Sequence, residues 1–180
     1  LSAIAITIVL AIPIGVASAV NRGRIVDHVL SIVSVVGYAV PQFWLGLVLA
    51  LIFAVKLQLL PAAGRGGILH LILPAFCLGW FTAASLMRLI RSGMLDVLGS
   101  EYIKMAKIKG VPQRDVVWKH ALKNGSLPAV TMAGWQFAQF LGGSVVVETV
   151  FAWPGIGLLA WQSIGWRDFP IIQTVTLLTG

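Results

Sequence analysis

Residues 101–128 read EYIKMAKIKGVPQRDVVWKHALKNGSLP, a basic stretch in two amphipathic parts, and the segments on either side of it are apolar enough to lie in a bilayer. Leu95, Leu98, Tyr102, Met105 and Ala106 recur at three- and four-residue steps, which predicts one apolar stripe of a helix. Lys104, Lys107 and Lys109 fall on its other faces. Gly110 offers a left-handed stop, and Pro112 suits the first turn of a second helix. In that second helix Val117 and Ala121 share a side, Arg114, Lys119 and Lys123 stay polar, and Asn124-Gly125 closes it. A pore needs no such insert. A basic amphipathic helix suits an anionic lipid surface and equally a groove on a partner protein; the residues alone leave the two readings level.

Outward from the insert the chain is a series of apolar runs. A hydrocarbon core of about 30 Å takes roughly 20 apolar residues in a helix. Such runs cover Leu1 to Val20, Val29 to Val55, Ile68 to Ile90 and Leu127 to Val147, and a fifth opens at Pro170. Pro41 lies within the second, where its ring removes a hydrogen bond and predicts a kink. Lys56 to Gly67, with Leu60-Pro61 and Gly64-Arg65-Gly66-Gly67, reads as a short loop. Phe151 to Phe169 mixes Trp153, Trp161 and Trp166 with Pro154 and glycines, the composition of a segment at headgroup level. The expectation is an all-α, polytopic membrane protein of about five spans. It forms a single transmembrane domain over 1–180, with 91–125 as a loop within it. The chain starts at Leu1 and stops inside an apolar run, so it is expected to be a piece of a longer protein.

Composition excludes a soluble domain: 58% of residues are hydrophobic and 11% charged, and mean hydropathy is +0.94, outside the globular balance. In a soluble chain the net charge of +7 would point to nucleic acid. Here the basic residues flank apolar runs and no soluble face with stacking aromatics exists, so no nucleic-acid partner is expected. With the Asn21 to His28 turn and the Arg88 to Asn124 insert on one face, that face holds ten of the thirteen basic residues: Arg22, Arg24, Arg88, Arg91, Lys104, Lys107, Lys109, Arg114, Lys119 and Lys123. Lys56, Arg65 and Arg167 remain for the other. The positive-inside rule makes the richer face cytoplasmic.

No catalytic constellation is present. His28, His70 and His120 lie in separate boundary regions without a cluster of cysteines or carboxylates, so no metal site is expected. The pattern G-x-x-x-x-G-K-[ST] is missing, and with it the usual phosphate cradle; no cofactor is expected. Cys77 stands alone in an apolar run. Proton-driven carriers keep ionisable residues within their spans, whereas here Glu148, at the end of the fourth run, is the nearest candidate. It reads first as a paired or solvated boundary carboxylate. Energy for transport is therefore expected from elsewhere.

The motif Tyr102-Ile-Lys-Met-Ala106-Lys-Ile-Lys-Gly110, with Val117-Trp-Lys-His120-Ala-Leu-Lys-Asn124 and Leu127-Pro128, resembles the EAA-type cytoplasmic loop of ABC importer permeases. More narrowly, it is similar to the dipeptide/oligopeptide/nickel branch. Glu148-Thr-Val-Phe151-Ala-Trp-Pro154-Gly155-Ile-Gly157-Leu, Arg167-Asp168-Phe-Pro170 and Leu60-Pro61 with Gly64-Arg65-Gly66 carry the same resemblance. The Glu and first Ala positions of the general pattern are Lys104 and Met105 here, a shift usual in the peptide-type branch, while Ala106 and Gly110 match. The resemblance implies a non-enzymatic, type I importer permease in the cytoplasmic membrane. It pairs with a second homologous permease subunit, is driven by separate ATP-binding subunits and is fed by an external substrate-binding protein. It further implies that 91–125 is the coupling loop, with Tyr102, Met105, Ala106, Gly110 and His120 serving attachment to the ATPase. Ala106, being small, is expected to admit a close approach of the ATPase. Pro41, Gln136, Gly142 and Gly143 are candidates for the path or its hinges, although the Gly142-Gly143 pair reads first as close helix packing through small residues and a glutamine here equally suits a bond to a neighbouring helix. Gln42, Trp44 and Gln139 are further polar or aromatic residues for the path, and Glu148, Trp153 and Trp161 for contact with the binding protein. The competing reading is a secondary transporter or channel not coupled to ATP. Peptide, nickel and other small solutes remain open as cargo.

Overall fold

The computed structural model describes residues 1–141 and 144–179. Among them every regular element is helical: α1 (Ser2–Val20), α2 (Ile25–Ala39), α3 (Gln42–Leu49) running into a π-helical stretch (Ala50–Lys56), α4 (Ile68–Leu98), α5 (Glu101–Ile108), α6 (Gln113–Asp115), a second π-helical stretch (Val116–Ala121), α7 (Leu122–Gly125), α8 (Leu127–Leu141), α9 (Val145–Val150), α10 (Ile156–Trp166) and α11 (Phe169–Thr179).

Backbone proximity divides the chain into two compact units. One comprises Ala5–Ala39 and Trp80–Trp135. Its core joins Ala11, Val16 and Ala19 of α1, Ala83, Met87, Ile90 and Met94 of α4, and Val117 and Ala121 of the second π-helical stretch. The other comprises Leu1–Ile4, Val40–Gly79 and Gln136–Gly180, with Leu73, Cys77, Val147 and Phe151 at its centre.

Helix α2 shows what solvent the chain is built for. Its buried residues are Asp27, Ser34 and Gly37, while Ile25, Val29, Ile32 and Val36 are exposed. A helix in water has the reverse arrangement. Small and polar side chains turned inward, with β-branched ones outward, belong to a helix packed on its neighbours in hydrocarbon. Gly37 lets α2 approach α4: a Cβ there would lie 2.9 Å from the Trp80 indole nitrogen. The chain is an all-α membrane protein, as its composition indicates.

The second apolar run is divided at Pro41. Helix α2 ends at Ala39, Pro41 is extended with ψ 136°, and α3 starts at Gln42. Proline has no N–H and drives the residue before it out of the helical region, so the run breaks where a bend was expected. In contrast, α4 carries the third run to Leu98, beyond the predicted Ile90, without interruption at Arg88 or Arg91. Helices α1 and α4 have the length and apolarity to cross a membrane, and the bent pair adds a third if it counts as one span. The fourth run is carried by α8 and α9, the fifth by the short apolar α11. The Trp-rich segment contains a helix, α10, with Trp161 and Trp166 exposed.

Candidate functional sites

The 91–125 loop is held together from within. Helix α5 ends in a Schellman arrangement: Val111 N–H donates to the Ala106 carbonyl at 3.1 Å and Gly110 N–H to that of Lys107 at 3.0 Å. Gly110 takes φ +78°, the left-handed conformation this closure needs. Pro112, extended, then precedes α6, and Val116 N–H bonds its carbonyl at 3.1 Å. In the π-helical stretch residues five apart share a face, which is why Val116 joins Val117 and Ala121 in the interior. The Tyr102 hydroxyl is hydrogen-bonded to His120 Nδ1, and the two rings meet edge to face with centroids 5.5 Å apart. Tyr102 and His120, read separately from the sequence, are thus the clasp between the two halves of the loop.

The predicted stripe of α5 is displaced. Gly99 and Ser100 interrupt the helix between Leu98 and Glu101, with Ser100 extended at ψ 155°, so the periodicity does not carry across. Ile103 and Ala106 face inward, Ala106 at 8% exposure. Tyr102 and Met105 stand 50% and 54% exposed, and Ile108 and Trp118 are exposed with them. Ala106 therefore packs within its own loop, and the outward apolar surface belongs to its neighbours. Lys104 pairs with Glu101 at 2.6 Å and Lys119 with Asp115 at 2.9 Å, surface contacts that contribute little.

The loop is fixed to α4 by an approach that admits no side chain. A Cβ on Gly93 would stand 2.1 Å from the Gly125 carbonyl oxygen, and one on Gly125 would stand 2.7 Å from the Met94 nitrogen. Two residues earlier, Arg91 forms a bidentate pair with Asp27, Nε to Oδ1 at 2.7 Å and Nη2 to Oδ2 at 2.8 Å. Asp27, 2% exposed, also accepts from Ser18 Oγ at 2.6 Å, Gly23 N at 3.0 Å and Ser31 Oγ at 3.4 Å. The α1–α2 turn and the start of the loop are thereby joined. Sequence reading passed over this cluster; the available signal was that Asp27 is the only acidic residue before Asp96.

A second constellation surrounds Glu148. Its Oε1 accepts from Ser144 N at 3.1 Å and its Oε2 from Leu158 N at 2.7 Å. One carboxylate thus satisfies amides at the N-termini of α9 and α10, where negative charge is favoured. Gly155 and Gly157 leave room for it, since a Cβ on Gly155 would fall 2.4 Å from the carboxylate. Gly64 N–H donates to the Phe151 carbonyl at 2.8 Å, so the 60–66 and 148–158 motifs form one region. Glu148 and the half-buried Trp153 line a cavity of about 170 Å³ with Ala3, Pro74, Leu78 and Phe140; Trp161 is exposed on α10.

Among the path candidates, Pro41 marks the break between α2 and α3 and Trp44 is exposed. Gln42 contributes its carbonyl to Cys77 Sγ at 3.3 Å. Gln136 is half-buried on α8 and Gln139 exposed. Gly142 and Gly143 lie outside the described residues. Among the described residues no three His, Cys, Asp or Glu side chains converge where a metal ion would sit.

Residues 11–180 match the family model of the binding-protein-dependent transport system inner membrane component. The chain belongs to this family. It is 46% identical over 165 residues to the glutathione transport system permease protein GsiC of Salmonella typhi, covering 92% of this chain and 54% of that protein. With the oligopeptide transport system permease protein AppB of Bacillus subtilis it shares 40% over 184 residues, 97% of this chain and 58% of the relative. GsiC of Pectobacterium atrosepticum is 44% identical over 171 residues, 95% and 56% of the two chains. The chain spans a little over half the length of these permeases.

Proposed function

We propose that the protein is the membrane-spanning, path-forming subunit of an ATP-driven importer, itself without catalytic activity. The observation that carries this reading is the 91–125 loop: a helix-turn-helix clasped by Tyr102 and His120 and seated on α4 through Gly93 and Gly125. A handle that transmits force has to be rigid in itself and fixed to what it moves. Its exposed Tyr102, Met105, Ile108 and Trp118 give the apolar surface, and Lys107, Lys109 and Arg114 the basic surround, for docking in a groove of a cytoplasmic ATP-binding subunit. The positive-inside bias supports a cytoplasmic position for the loop in a multi-pass protein of the inner membrane. A second homologous permease subunit completes the path, with Pro41, Gln136, Gly142 and Gly143 as candidate lining or hinge positions. The region of Glu148, Trp153 and Trp161 faces an external substrate-binding protein. The relatives named for glutathione and oligopeptide favour short peptides as cargo.

Reconstitution of the full-length protein in liposomes with and without its ATP-binding subunits tests this reading. Uptake of a labelled di- or tripeptide is expected only with those subunits, the binding protein and ATP. Uptake driven by an ion gradient alone would establish the secondary-transporter reading instead.

A further inference from the structure

Three residues within one turn of α4 face two different partners. Arg91 reaches the α1–α2 hairpin through Asp27, Gly93 abuts Gly125 at the far end of the loop, and Met94, next after Gly93, is fully buried. The Asp27 carboxylate collects donors from four places: Ser18 on α1, Gly23 in the turn, Ser31 on α2 and Arg91 on α4. Gly23 holds φ +75°, so its amide is presented to Oδ2 by a turn conformation open to glycine. A single hydrogen bond lets its partners swivel. A guanidinium fork on a carboxylate fixes both separation and orientation, and its carboxylate half is buried.

Resting on the importer reading above, we propose that the Asp27–Arg91 pair is the joint that passes loop displacement to the α1–α2 hairpin. Arg91 and Asp27 are then positioning residues. Pressure on α7 reaches α4 at Gly93, where backbone meets backbone with no side chain between. Arg91, two residues away on the same helix, takes α1 and α2 along. Without the fork, α4 moves and the hairpin lags, so ATP is hydrolysed with little substrate carried.

The test uses the full-length permease assembled with its ATP-binding subunits and binding protein in proteoliposomes. Three quantities are read: ATPase rate, peptide uptake per ATP hydrolysed, and crosslinking of Lys107→Cys to the ATP-binding subunit as a measure of assembly. Asp27→Asn, and Arg91→Lys, which keeps the charge but loses the fork, are expected to crosslink and hydrolyse ATP while uptake per ATP falls at least tenfold. Ser18→Ala removes one bond to the carboxylate and covers the case in which the stronger variants fail to accumulate; a two- to fivefold fall is expected. A purely structural role lowers hydrolysis and uptake together, and unchanged uptake per ATP in the assembled variants overturns the proposal. Wild-type uptake that needs no ATP overturns the importer reading and this inference with it, an outcome visible before any substitution is made.

Discussion

At the scale of single residues, Gly110 and Ala106 separate what local sequence dictates from what it cannot. A left-handed stop followed by a proline is a short-range signal, and Gly110 takes φ +78°. Nothing lies within 4 Å of a Cβ built on Gly110, so the demand there is conformational and not steric. Gly110→Val is accordingly expected to destabilise the loop by about 1–2 kcal/mol, the cost of a left-handed L-residue. Gly110→Asn, which visits that region more readily, loses much less. Thermal unfolding of the detergent-solubilised protein ranks the two, and equal losses would point to a steric cause. The Asp27–Arg91 pair was not legible, because 64 positions separate its members and no periodicity links them. A solitary acid in an acid-free stretch hints at a partner without naming it.

Among elements, α5 shows how a correct period can be carried too far. The three- and four-residue steps from Leu95 to Ala106 assume an unbroken helix, and Ser100 resets the register. The interior therefore receives Ile103 and Ala106, while Tyr102 and Met105 face out. The reassignment predicts opposite consequences for adjacent residues. Ala106→Glu places an unpaired charge inside the loop's own packing and should destabilise the protein by several kcal/mol. Met105→Glu, on the exposed side, should leave the unfolding midpoint within about 1 °C, since surface changes are nearly neutral, yet weaken attachment of the ATP-binding subunit at least tenfold. Co-purification of that subunit, set beside the melting curves, distinguishes the two. If Met105→Glu retains full attachment, this face is not the docking surface, and a helix lying on anionic lipid takes its place.

Helices α9 and α10 depend on Glu148 in a comparable way. Its oxygens accept from Ser144 and Leu158, so Glu148→Ala leaves two helix-end amides without their acceptor and should cost about 1–2 kcal/mol. Glu148→Gln keeps one oxygen and should lose about half as much. Hydrogen exchange at the Leu158 amide is the direct measurement, with faster exchange in Ala than in Gln. Sequence placed Glu148 at a boundary as a paired or solvated carboxylate. That its partners are backbone amides ten residues on and four back follows from the Pro154-Gly155 turn, whose geometry side-chain patterns do not encode.

For the molecule as a whole, the decisive physical fact is the solvent. Hydropathy made the bilayer legible at once, and α2, polar within and apolar without, is how the folded chain expresses it. The number of crossings was less legible, because Pro41 divides one apolar run into two helices while composition stays uniform across the break. Orientation still rests on charge. Of the ten basic residues on the richer face, Arg91 is neutralised by Asp27, but acidic residues count little in the positive-inside bias and the imbalance stands. The apolar run from Ile68 to Ile90 separates Arg65 from Lys109, so cysteines at these exposed positions report opposite sides of the membrane. The native thiol, Cys77, is buried and stays silent. In intact cells an impermeant maleimide is expected to label Arg65→Cys and to leave Lys109→Cys unmodified until the membrane is opened. Labelling of Lys109→Cys in sealed cells would put the loop on the side away from ATP, and the coupling proposal would fall with it.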